Sequence, residues 1–430
     1  MMGTTNWRKR PLPTDHTHDP GLTSWVAGAQ HTDFPVQNLP LGIFSNGGAP
    51  RGGVAIGDQV LDIAAALAAG KLKGAAAQAA AGPSLAPLMA LGRDAAMELR
   101  HAVSSLLIGA PAPELLHPQS KVAMHLPCEV RNFSDFMASY DHCHRLGAAR
   151  DPANPLPPAF HQLPVAYHSR ASSVRPSGTD VRRPWGQYFR DGAIVFAPTG
   201  AMDFELELGI WIAEENEQGA PTPISAADRR LFGFCLLNDW SVRDVQRYEM
   251  PPLGPFLGKS LHTSVSPWVI TADAMAPFAT ERPMRVPGAP PCPPHLATSA
   301  DALRITMRAA LLTPGMTTPH PITEAPFERM YWTPAQMVAH HTSNGCNLLP
   351  GDLLGSGTVS GPADGAEACI AEILLRGPIA LPNGETRRYL EDGDTIIFTA
   401  RAEAPGAVPI GFGECRGKIL PSLGLAAHAA

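Results

Sequence analysis

The sequence lacks paired cysteines. Its seven cysteines are scattered, odd in number, and include no CxxC pair, which is the spacing that zinc sites and redox disulfides often share. Neither kind of site is therefore expected, and reduced thiols favour a cytoplasmic protein. The N-terminus also lacks the apolar core of a signal peptide, which favours the same localisation.

Long hydrophobic runs and clustered positive charge are missing as well. No stretch reaches the roughly 18 consecutive apolar residues that a membrane-spanning helix needs, so a membrane is not an expected partner. The 39 acidic residues outnumber the 33 basic ones, and the basic residues form no run that could follow a phosphate backbone. Nucleic acid is therefore not an expected partner either.

Several catalytic signatures are also absent. The sequence contains no G-x-S-x-G and no S-x-x-K motif, so a serine hydrolase would have no recognisable nucleophile. The segment GSGTVSG at 355–361 has its third glycine one place too late for a dinucleotide-binding loop, and we interpret it as a turn between strands. The His-Cys-His run at 142–144 has no second pair of ligands, which argues against zinc.

Short apolar runs separated by turn residues fill most of the chain. Examples are AIVFA, ELGIWIA, FGFCLL and TIIFTA, and the chain has 45 prolines and 40 glycines, a pattern typical of many short strands. Because 430 residues exceed the usual size of one core, we predict two domains in a mainly β (α+β) fold. We expect a loosely ordered leader at 1–33, a small β-rich domain at 34–118 with a hairpin and a helix at 51–67, and a larger domain at 119–430.

Three acidic residues stand out because of their surroundings. Glu205 and Glu207 alternate with apolar residues in MDFELELGIWI, so they should project from one face of a strand. Two neighbouring carboxylates repel each other unless a cation lies between them, which indicates a hard, oxygen-binding metal; the alternative is the solvated face of an edge strand. Asp239 ends the apolar run FGFCLLND, where a charged residue is unusual, although an exposed turn would also accommodate it.

Three more residues, which follow Asp239 in the sequence, could stabilise negative charge. Arg243 and Gln246 have the i, i+3 spacing that places two side chains on one face of a helix, although an ordinary exposed helix has the same pattern. Lys259 lies in PLGPFLGKS, among residues that predict a loop. Only six of the 33 basic residues are lysines, so a lysine here suggests a need for a compact positive charge.

Six segments resemble the fumarylacetoacetate hydrolase family and occur in the family's order. They are LPVAYHSRASSV, FELELGIWI, LLNDWSVRDVQ, PLGPFLGKS, HHTSNGCNLLPGDLLGSGTVSG and GFGECRGKILP, and the resemblance runs from about Phe34 to Pro421. It implies a small SH3-like N-terminal domain, a C-terminal domain built around a β-roll, and a homodimer. It also implies a divalent metal, Mg²⁺ or Ca²⁺, and hydrolysis of a carbon–carbon bond in a small 1,3-dicarbonyl substrate.

The resemblance also implies roles for individual residues. His142 would be the general base, and Glu372 would orient its ring. The oxyanion would be stabilised by Arg243, Gln246 and Lys259. The metal ligands would be Asp135, Glu205, Glu207 and Asp239, with Lys259 and Thr263 beside the ion. The substrate would be contacted by Met137, Arg150, Tyr167, Met250 and Thr358.

Two of these positions depart from the family's pattern, because Met137 and Met250 stand where the family has substrate-contacting tyrosines. A tyrosine hydroxyl can donate a hydrogen bond to a carboxylate, whereas a thioether cannot. A less polar substrate is therefore one interpretation. Compensation by Tyr140 or Tyr248, or a neutral replacement with the reaction unchanged, are the others.

The sequence thus predicts a metal-dependent hydrolase that acts on a 1,3-dicarbonyl from the breakdown of aromatic compounds. Fumarylacetoacetate, cleaved to fumarate and acetoacetate with an enolate as the leaving group, is the best named substrate, and a different β-diketone is the close alternative. Acylpyruvate hydrolysis and oxaloacetate decarboxylation are disfavoured by the separate N-terminal domain and the His142/Glu372 pair. A catalytically silent metal-binding scaffold would be expected only if one of the catalytic groups were missing.

Overall fold

Two sheet-based domains follow one another along the chain in the computed structural model, which describes residues 14–298 and 302–424. The first sheet uses strands up to His125, and the sheets of the second domain begin at Phe133. No helix in this described part of the chain is long and apolar enough to cross a membrane.

The N-terminal domain is a five-stranded antiparallel sheet with three helices. These elements are β1 (Leu41–Ser45), β2 (Arg51–Ile56), β3 (Gln59–Asp62), α1 (Ile63–Ala68), α2 (Ala75–Ala80), α3 (Ala86–Ile108), β4 (Leu116–Pro118) and β5 (Ala123–His125), with the sheet order β4-β3-β2-β1-β5. The predicted hairpin and helix at 51–67 are confirmed as β2, β3 and α1. Gly57 turns the chain with a φ of 60°, and the Asp62 side chain caps α1 by accepting a hydrogen bond from the backbone N–H of Ala65 at 2.9 Å.

The prediction of a loosely ordered leader is wrong for residues 14–33, which pack against the N-terminal domain. Thr17 is fully buried, and Val26 and Ala29 belong to the apolar core of this domain. Arg100 of α3 donates hydrogen bonds to Thr17 Oγ1 at 2.8 Å and to the carbonyl oxygen of Asn38 at 2.6 Å. Contacts with a residue so distant in sequence leave no local periodicity, which explains the error; the rest of the predicted leader, 1–13, lies outside the described residues.

The N-terminal domain also ends later than the predicted residue 118. Strand β5 forms one edge of its sheet, where His125 lies opposite Ile43 of β1. The segment 119–125 therefore belongs to the first domain. Three-residue strands such as β4 and β5 are too short for an alternation of polar and apolar residues to reveal them.

The C-terminal domain contains the other helices and strands of the described chain. The helices are α4 (Tyr140–Arg150), α5 (Arg243–Glu249), α6 (Leu257–Ser260), α7 (Pro334–His341) and α8 (Ile370–Ile373). The strands are β6 (Phe133–Phe136), β7 (Ala166–His168), β8 (Val174–Pro176), β9 (Val181–Arg182), β10 (Trp185–Arg190), β11 (Ala193–Pro198), β12 (Met202–Asp203), β13 (Leu206–Ile212), β14 (Leu231–Asp239), β15 (Ser241–Val242), β16 (Thr263–Val265), β17 (Ile270–Thr271), β18 (Ala279–Thr280), β19 (Ala302–Leu303), β20 (Ile305–Leu312), β21 (His320–Pro326), β22 (Leu353–Gly355), β23 (Ile379–Ala380), β24 (Thr386–Arg387), β25 (Thr395–Ala402) and β26 (Ile410–Leu420).

Two large sheets form the centre of the C-terminal domain. One has the order β7-β6-β22-β13-β14-β16-β8, with β17 also paired to β14, and the other has the order β21-β20-β25-β26-β9. Most pairs are antiparallel, but β6 and β22, β8 and β16, and β9 and β26 run parallel. Leu208 of β13 and Phe398 of β25 lie in one buried apolar cluster, so both sheets share a core. The predicted mainly β fold, with a β N-terminal domain and a mixed β C-terminal domain, is confirmed.

Strands β10 and β11 form a hairpin with one exposed apolar face. Tyr188 and Val195 lie opposite each other and pack on the core. Phe189, Ile194 and Phe196 point to the other side and are 65%, 56% and 57% exposed. Large apolar side chains grouped in this way mark a candidate contact surface.

Candidate active site

Three buried carboxylates meet where neighbouring strands of the eight-stranded sheet lie side by side. Asp135 is near the end of β6, Glu207 is in β13, and Asp239 ends β14. Oxygen atoms of the three side chains all lie within 4.8 Å of one another. Glu207 and Asp239 are thus buried at the site, and the alternatives of a solvated edge strand and an exposed turn are wrong.

One oxygen of each carboxylate has no hydrogen-bond partner among the described residues. These atoms are Asp135 Oδ1, Glu207 Oε1 and Asp239 Oδ1, and all three are buried. Burial and the charge of Asp239 raise the pKa of Asp135 well above its ordinary value, and burial with the charges of Asp135 and Glu205 does the same for Glu207. Buried carboxylates without partners are costly. The donor set therefore fits a hard divalent cation, which prefers oxygen ligands and would remove the repulsion.

Tyr167 and Gly357 hold the other oxygens of these carboxylates in place. The hydroxyl of Tyr167 in β7 lies 2.6 Å from Asp239 Oδ2 and 3.3 Å from Asp135 Oδ2. The backbone N–H of Gly357 donates to Glu207 Oε2 at 3.1 Å. Tyr167, predicted from the family as a substrate contact, therefore also orients two of the carboxylates.

The segment GSGTVSG passes directly over the carboxylates. A Cβ atom on Gly355 would lie 2.3 Å from Asp135 Oδ1 and 2.9 Å from Glu207 Oε2. Gly357 has a φ of 76°, and a Cβ there would lie 2.1 Å from the carbonyl oxygen of Phe136. Only glycine fits at these two positions, because the backbone needs the space and, at Gly357, the left-handed conformation.

Glu205 faces cations, in contrast to the three clustered carboxylates. Its Oε2 accepts a short hydrogen bond from Lys259 Nζ, and its Oε1 forms an ion pair with Arg243 Nη2 at 2.9 Å. Burial alone would raise the pKa of Glu205, but Lys259, Arg243 and His142 lower it to about 2. The structure thus brings together three of the four predicted metal ligands and places Glu205 between them and the positive groups.

Lys259 connects the carboxylates to these positive groups. It lies in the short helix α6, where a loop was predicted, and its Nζ also donates to Asp239 Oδ2 at 2.9 Å. Opposing carboxylates raise the pKa of Lys259 although burial lowers it. The side chain therefore remains a buried positive charge, in agreement with the compact positive charge predicted from the sequence.

Arg243 and Gln246 lie on one face of α5, as their spacing predicted. Arg243 Nη1 donates to Gln246 Oε1 at 3.0 Å, which leaves the Gln246 amide nitrogen as a donor. Arg243 Nε donates to Asp203 Oδ2 at 2.7 Å. Asp203 was missed from the sequence, although it alternates with Glu205 and Glu207 in DFELE.

His142 and Glu372 form a buried pair, and His142 is close enough to Glu205 to help lower the pKa of that carboxyl. Nδ1 of His142, in α4, lies 2.7 Å from Oε2 of Glu372, in α8. Glu372 also accepts hydrogen bonds from Arg145 Nη1 at 2.6 Å and from Ser360 Oγ at 2.8 Å. Burial opposes ionisation of Glu372, but His142, Ser360 and Arg145 lower its pKa to about 2. Arg145 and Ser360 were not singled out from the sequence.

The remaining predicted residues differ in how close they come to the carboxylates. Thr263 in β16 is buried and pairs with Asp239 across the sheet, and Thr358 is buried in the segment that covers the site. Met137 is partly buried two residues after Asp135. Met250 follows α5 and is 41% exposed, while Arg150 is exposed at the end of α4. Two helical turns separate Arg150 from His142, so the structure does not bring these two together.

Comparison with known proteins finds full-length similarity. The family model described as "Fumarylacetoacetate (FAA) hydrolase C-terminal" matches residues 131–420, and "Fumarylacetoacetase N-terminal" matches residues 37–127. Fumarylacetoacetase of Homo sapiens is 42% identical over 418 residues, covering 93% of this chain and 99% of the relative. Fumarylacetoacetase of Bos taurus is 41% identical over 421 residues, covering 94% and 100%.

A solved structure shares the fold at lower identity. A fumarylacetoacetate hydrolase from Exiguobacterium antarcticum matches with a TM-score of 0.53 and 16% identity, covering 89% of this chain and 99% of the other. At this identity the match supports the architecture alone.

Proposed function

The chain belongs to the fumarylacetoacetase family, and we propose that it hydrolyses fumarylacetoacetate to fumarate and acetoacetate. The observation that carries this proposal is the similarity of about 40% identity along nearly the whole chain and nearly the whole of the named relatives. The reaction cleaves a carbon–carbon bond of a ketonic substrate by adding water. The described site contains the groups that this chemistry needs.

His142 is proposed to take a proton from the attacking water. Its Nδ1–H donates to Glu372, so the lone pair of Nε2 is available as a base. The ionised Glu372 fixes this tautomer and stabilises the imidazolium that forms. Loss of the proton gives the water hydroxide character for attack on a carbonyl carbon.

Asp135, Glu205, Glu207 and Asp239 are proposed to hold a divalent cation, with Lys259 and Thr263 beside it. The three unpartnered oxygens support this assignment. When bound, such a cation withdraws electron density from carbonyl oxygens of a 1,3-dicarbonyl. We propose Mg²⁺ or Ca²⁺, both of which take carboxylate oxygens as ligands.

Arg243, Gln246 and Lys259 are proposed to stabilise the oxyanion that forms when water adds. Lys259 remains positively charged in a buried environment, where a fixed charge acts more strongly than in water. Gln246 can donate from its amide nitrogen because Arg243 already occupies its oxygen. Arg243 holds both Gln246 and Glu205 in position.

A less polar β-diketone is a second candidate substrate. Met137 is partly buried and lies in the sequence between Asp135 and His142, and its thioether cannot donate a hydrogen bond. The Tyr140 ring lies among other rings, 5.3 Å from His144 and 6.3 Å from Phe160. Tyr248 is 43% exposed on α5. Tyr167, Thr358 and Arg150 remain the proposed polar substrate contacts.

We also propose that the protein forms a homodimer through the exposed face of the β10–β11 hairpin. Phe189, Ile194 and Phe196 supply the apolar area, and Arg190 and Asp191 at the tip offer opposite charges to a symmetry-related copy. Replacing Phe189 and Phe196 by serine should halve the molar mass measured by light scattering. An unchanged mass would place the contact elsewhere.

The proposed activity is tested by incubating the purified protein with fumarylacetoacetate and quantifying both products. Fumarate and acetoacetate should appear in equal amounts. A panel of 1,3-diketones with and without terminal carboxylates then ranks the substrates. If an acylpyruvate or oxaloacetate turns over faster than fumarylacetoacetate and every other diketone of the panel, the proposal is wrong. If no compound reacts, the proposed hydrolase activity is contradicted and the alternative of a catalytically silent scaffold is favoured.

A further inference from the structure

Arg145 contacts Glu372 on the side that faces away from the His142 ring. In the described part of the chain, His142 Nδ1, Ser360 Oγ and Cys369 Sγ all approach Glu372 Oε2, at 2.7, 2.8 and 3.3 Å. Arg145 Nη1 donates to the other oxygen, Oε1, at 2.6 Å. The two oxygens of this carboxylate therefore have separate sets of partners.

Arg145 also links three segments of the chain. It lies one turn after His142 in α4, on the same side of the helix. Its Nη2 donates to the carbonyl oxygen of Gly361 at 2.8 Å. One planar guanidinium thus joins the helix of the base, the carboxylate of α8 and the end of the glycine-rich segment 355–361.

A carboxylate at the end of a glutamate side chain rotates easily, because its last torsion has a broad, roughly two-fold energy profile. Because both oxygens turn together about that bond, the contact of Arg145 to Oε1 adds to the contacts on Oε2 in resisting rotation of the whole group. Glu372 is fully buried, and a buried carboxylate needs a matching positive charge when His142 is neutral. Arg145 supplies both the second anchor and that charge.

We propose that Arg145 is a positioning residue that fixes the Glu372 carboxylate and, through it, the ring of His142 in the orientation required for proton transfer. This inference rests on the proposed function. It predicts that Arg145 acts only through Glu372 and that substrate binding does not depend on it.

The test compares Arg145→Met and Arg145→Lys with the wild-type protein in turnover of fumarylacetoacetate. Loss of a hydrogen-bond partner that orients a reacting group commonly costs about 10–100-fold, so Arg145→Met should lower kcat by that factor and leave KM within about twofold. Arg145→Lys keeps the charge but not the second arm, and it should recover part of the loss. Equal kcat in Arg145→Met and wild type, or a change in KM alone, would overturn the inference.

Arg329→Met is the matched control. Arg329 Nε lies 4.0 Å from a carboxylate oxygen of Asp141, which is in α4 like Arg145, and the Arg329 side chain is 46% exposed. Its removal should therefore leave kcat and KM unchanged. Introducing Arg145→Met into a Glu372→Gln background should cost little beyond the loss that Glu372→Gln already causes. A full additional loss there would mean that Arg145 acts independently of Glu372.

A measurement without turnover separates this inference from the proposed function. The Nδ1 proton of His142, bound to a buried carboxylate, should give a downfield proton NMR signal, assigned by its loss in His142→Gln. In Arg145→Met the signal should shift or broaden, and in Arg329→Met it should stay. If wild-type protein does not cleave fumarylacetoacetate, the proposed function fails, while an unchanged signal in Arg145→Met overturns the role of Arg145.

Discussion

Glu372 accepts a hydrogen bond from Nδ1 of His142, and this contact decides which nitrogen of the imidazole can accept a proton. Replacing His142 by glutamine keeps the size and some hydrogen bonding but removes the base. We expect kcat to fall by at least about 100-fold, the usual contribution of a general base. Binding of Mg²⁺, measured by calorimetry, should be unchanged; retained turnover would mean that another group is the base.

We propose that the methionines at 137 and 250 bear on the choice between a carboxylated and an uncarboxylated substrate. Restoring tyrosine at both positions returns two hydroxyl donors, so kcat/KM for fumarylacetoacetate should rise relative to that for an uncarboxylated diketone. The ratio is obtained by measuring kcat/KM for both substrates with the same preparation of each protein. The single Met137→Tyr variant is the control. An unchanged ratio would indicate that the methionines are neutral replacements.

At the level of residues, sequence reasoning succeeds where a side chain conflicts with its surroundings. Glu205, Glu207 and Asp239 stand in apolar runs, and each is buried at the site. Arg145 was not predicted because an arginine in a polar helix is ordinary, and its partners Glu372 and Gly361 lie more than 200 positions away in sequence. Its role depends on tertiary contacts that leave no local pattern.

Strand β22 and the segment after it form the cover of the carboxylate cluster. In Gly355→Ala the added methyl group would collide with Asp135, which is held in β6 and cannot move freely. We expect the affinity for Mg²⁺ to fall by about tenfold or more, as for other changes that displace ligands. Gly48→Ala, where nothing lies within 4 Å of the added atom, is the control; equal affinity in both variants would contradict the described geometry.

Elements with strong local signals were predicted, and elements set by distant contacts were not. The hairpin and helix at 51–67 have a turn glycine and a capping aspartate in the sequence, and they are confirmed. Residues 14–33 also contain a capping aspartate, Asp15, and a left-handed glycine, Gly28, but only three-residue helices follow them. The packing of this segment depends on distant contacts such as the hydrogen bond from Arg100 of α3 to Thr17. Lys259 was expected in a loop, but its segment forms one helical turn, which packs its charge against Glu205 and Asp239.

Stability of the whole molecule should depend on pH and metal together. Asp135 and Glu207 have raised pKa values in the folded, metal-free protein. The folded protein therefore keeps protons on these two carboxyls at pH values where the unfolded chain has released them. The free energy of unfolding consequently falls as pH rises from the ordinary pKa values of these groups toward their raised ones. Glu205 and Glu372 have pKa values lowered to about 2. Their ionised carboxylates therefore contribute stability that is lost only as pH falls from the ordinary pKa of glutamate toward 2. Between pH 5 and 8 buried histidines such as His262, whose pKa burial lowers to about 4, act in the opposite direction. The contribution of the raised carboxylates is therefore measured against a variant that lacks one of them.

This linkage gives a prediction for the melting temperature. With a chelator present, Tm should fall more, or rise less, from pH 5 to pH 8 in the wild-type protein than in Asp135→Asn, and Mg²⁺ should raise Tm more at pH 8, because a cation replaces the protons on the carboxylates. Differential scanning calorimetry measures both effects. In Asp135→Asn the Mg²⁺ shift should also be smaller, and a Mg²⁺ shift independent of pH in the wild-type protein would contradict the assignment of the site.

At the scale of the whole molecule, we propose that cleavage needs a divalent cation and the His142–Glu372 pair acting together. The most direct test is the rate of fumarylacetoacetate cleavage, followed by the loss of substrate absorbance, before and after complete removal of divalent ions and after their return. Cleavage to fumarate and acetoacetate should stop on removal and resume when Mg²⁺ or Ca²⁺ is added. Undiminished cleavage by the metal-free protein would contradict this account.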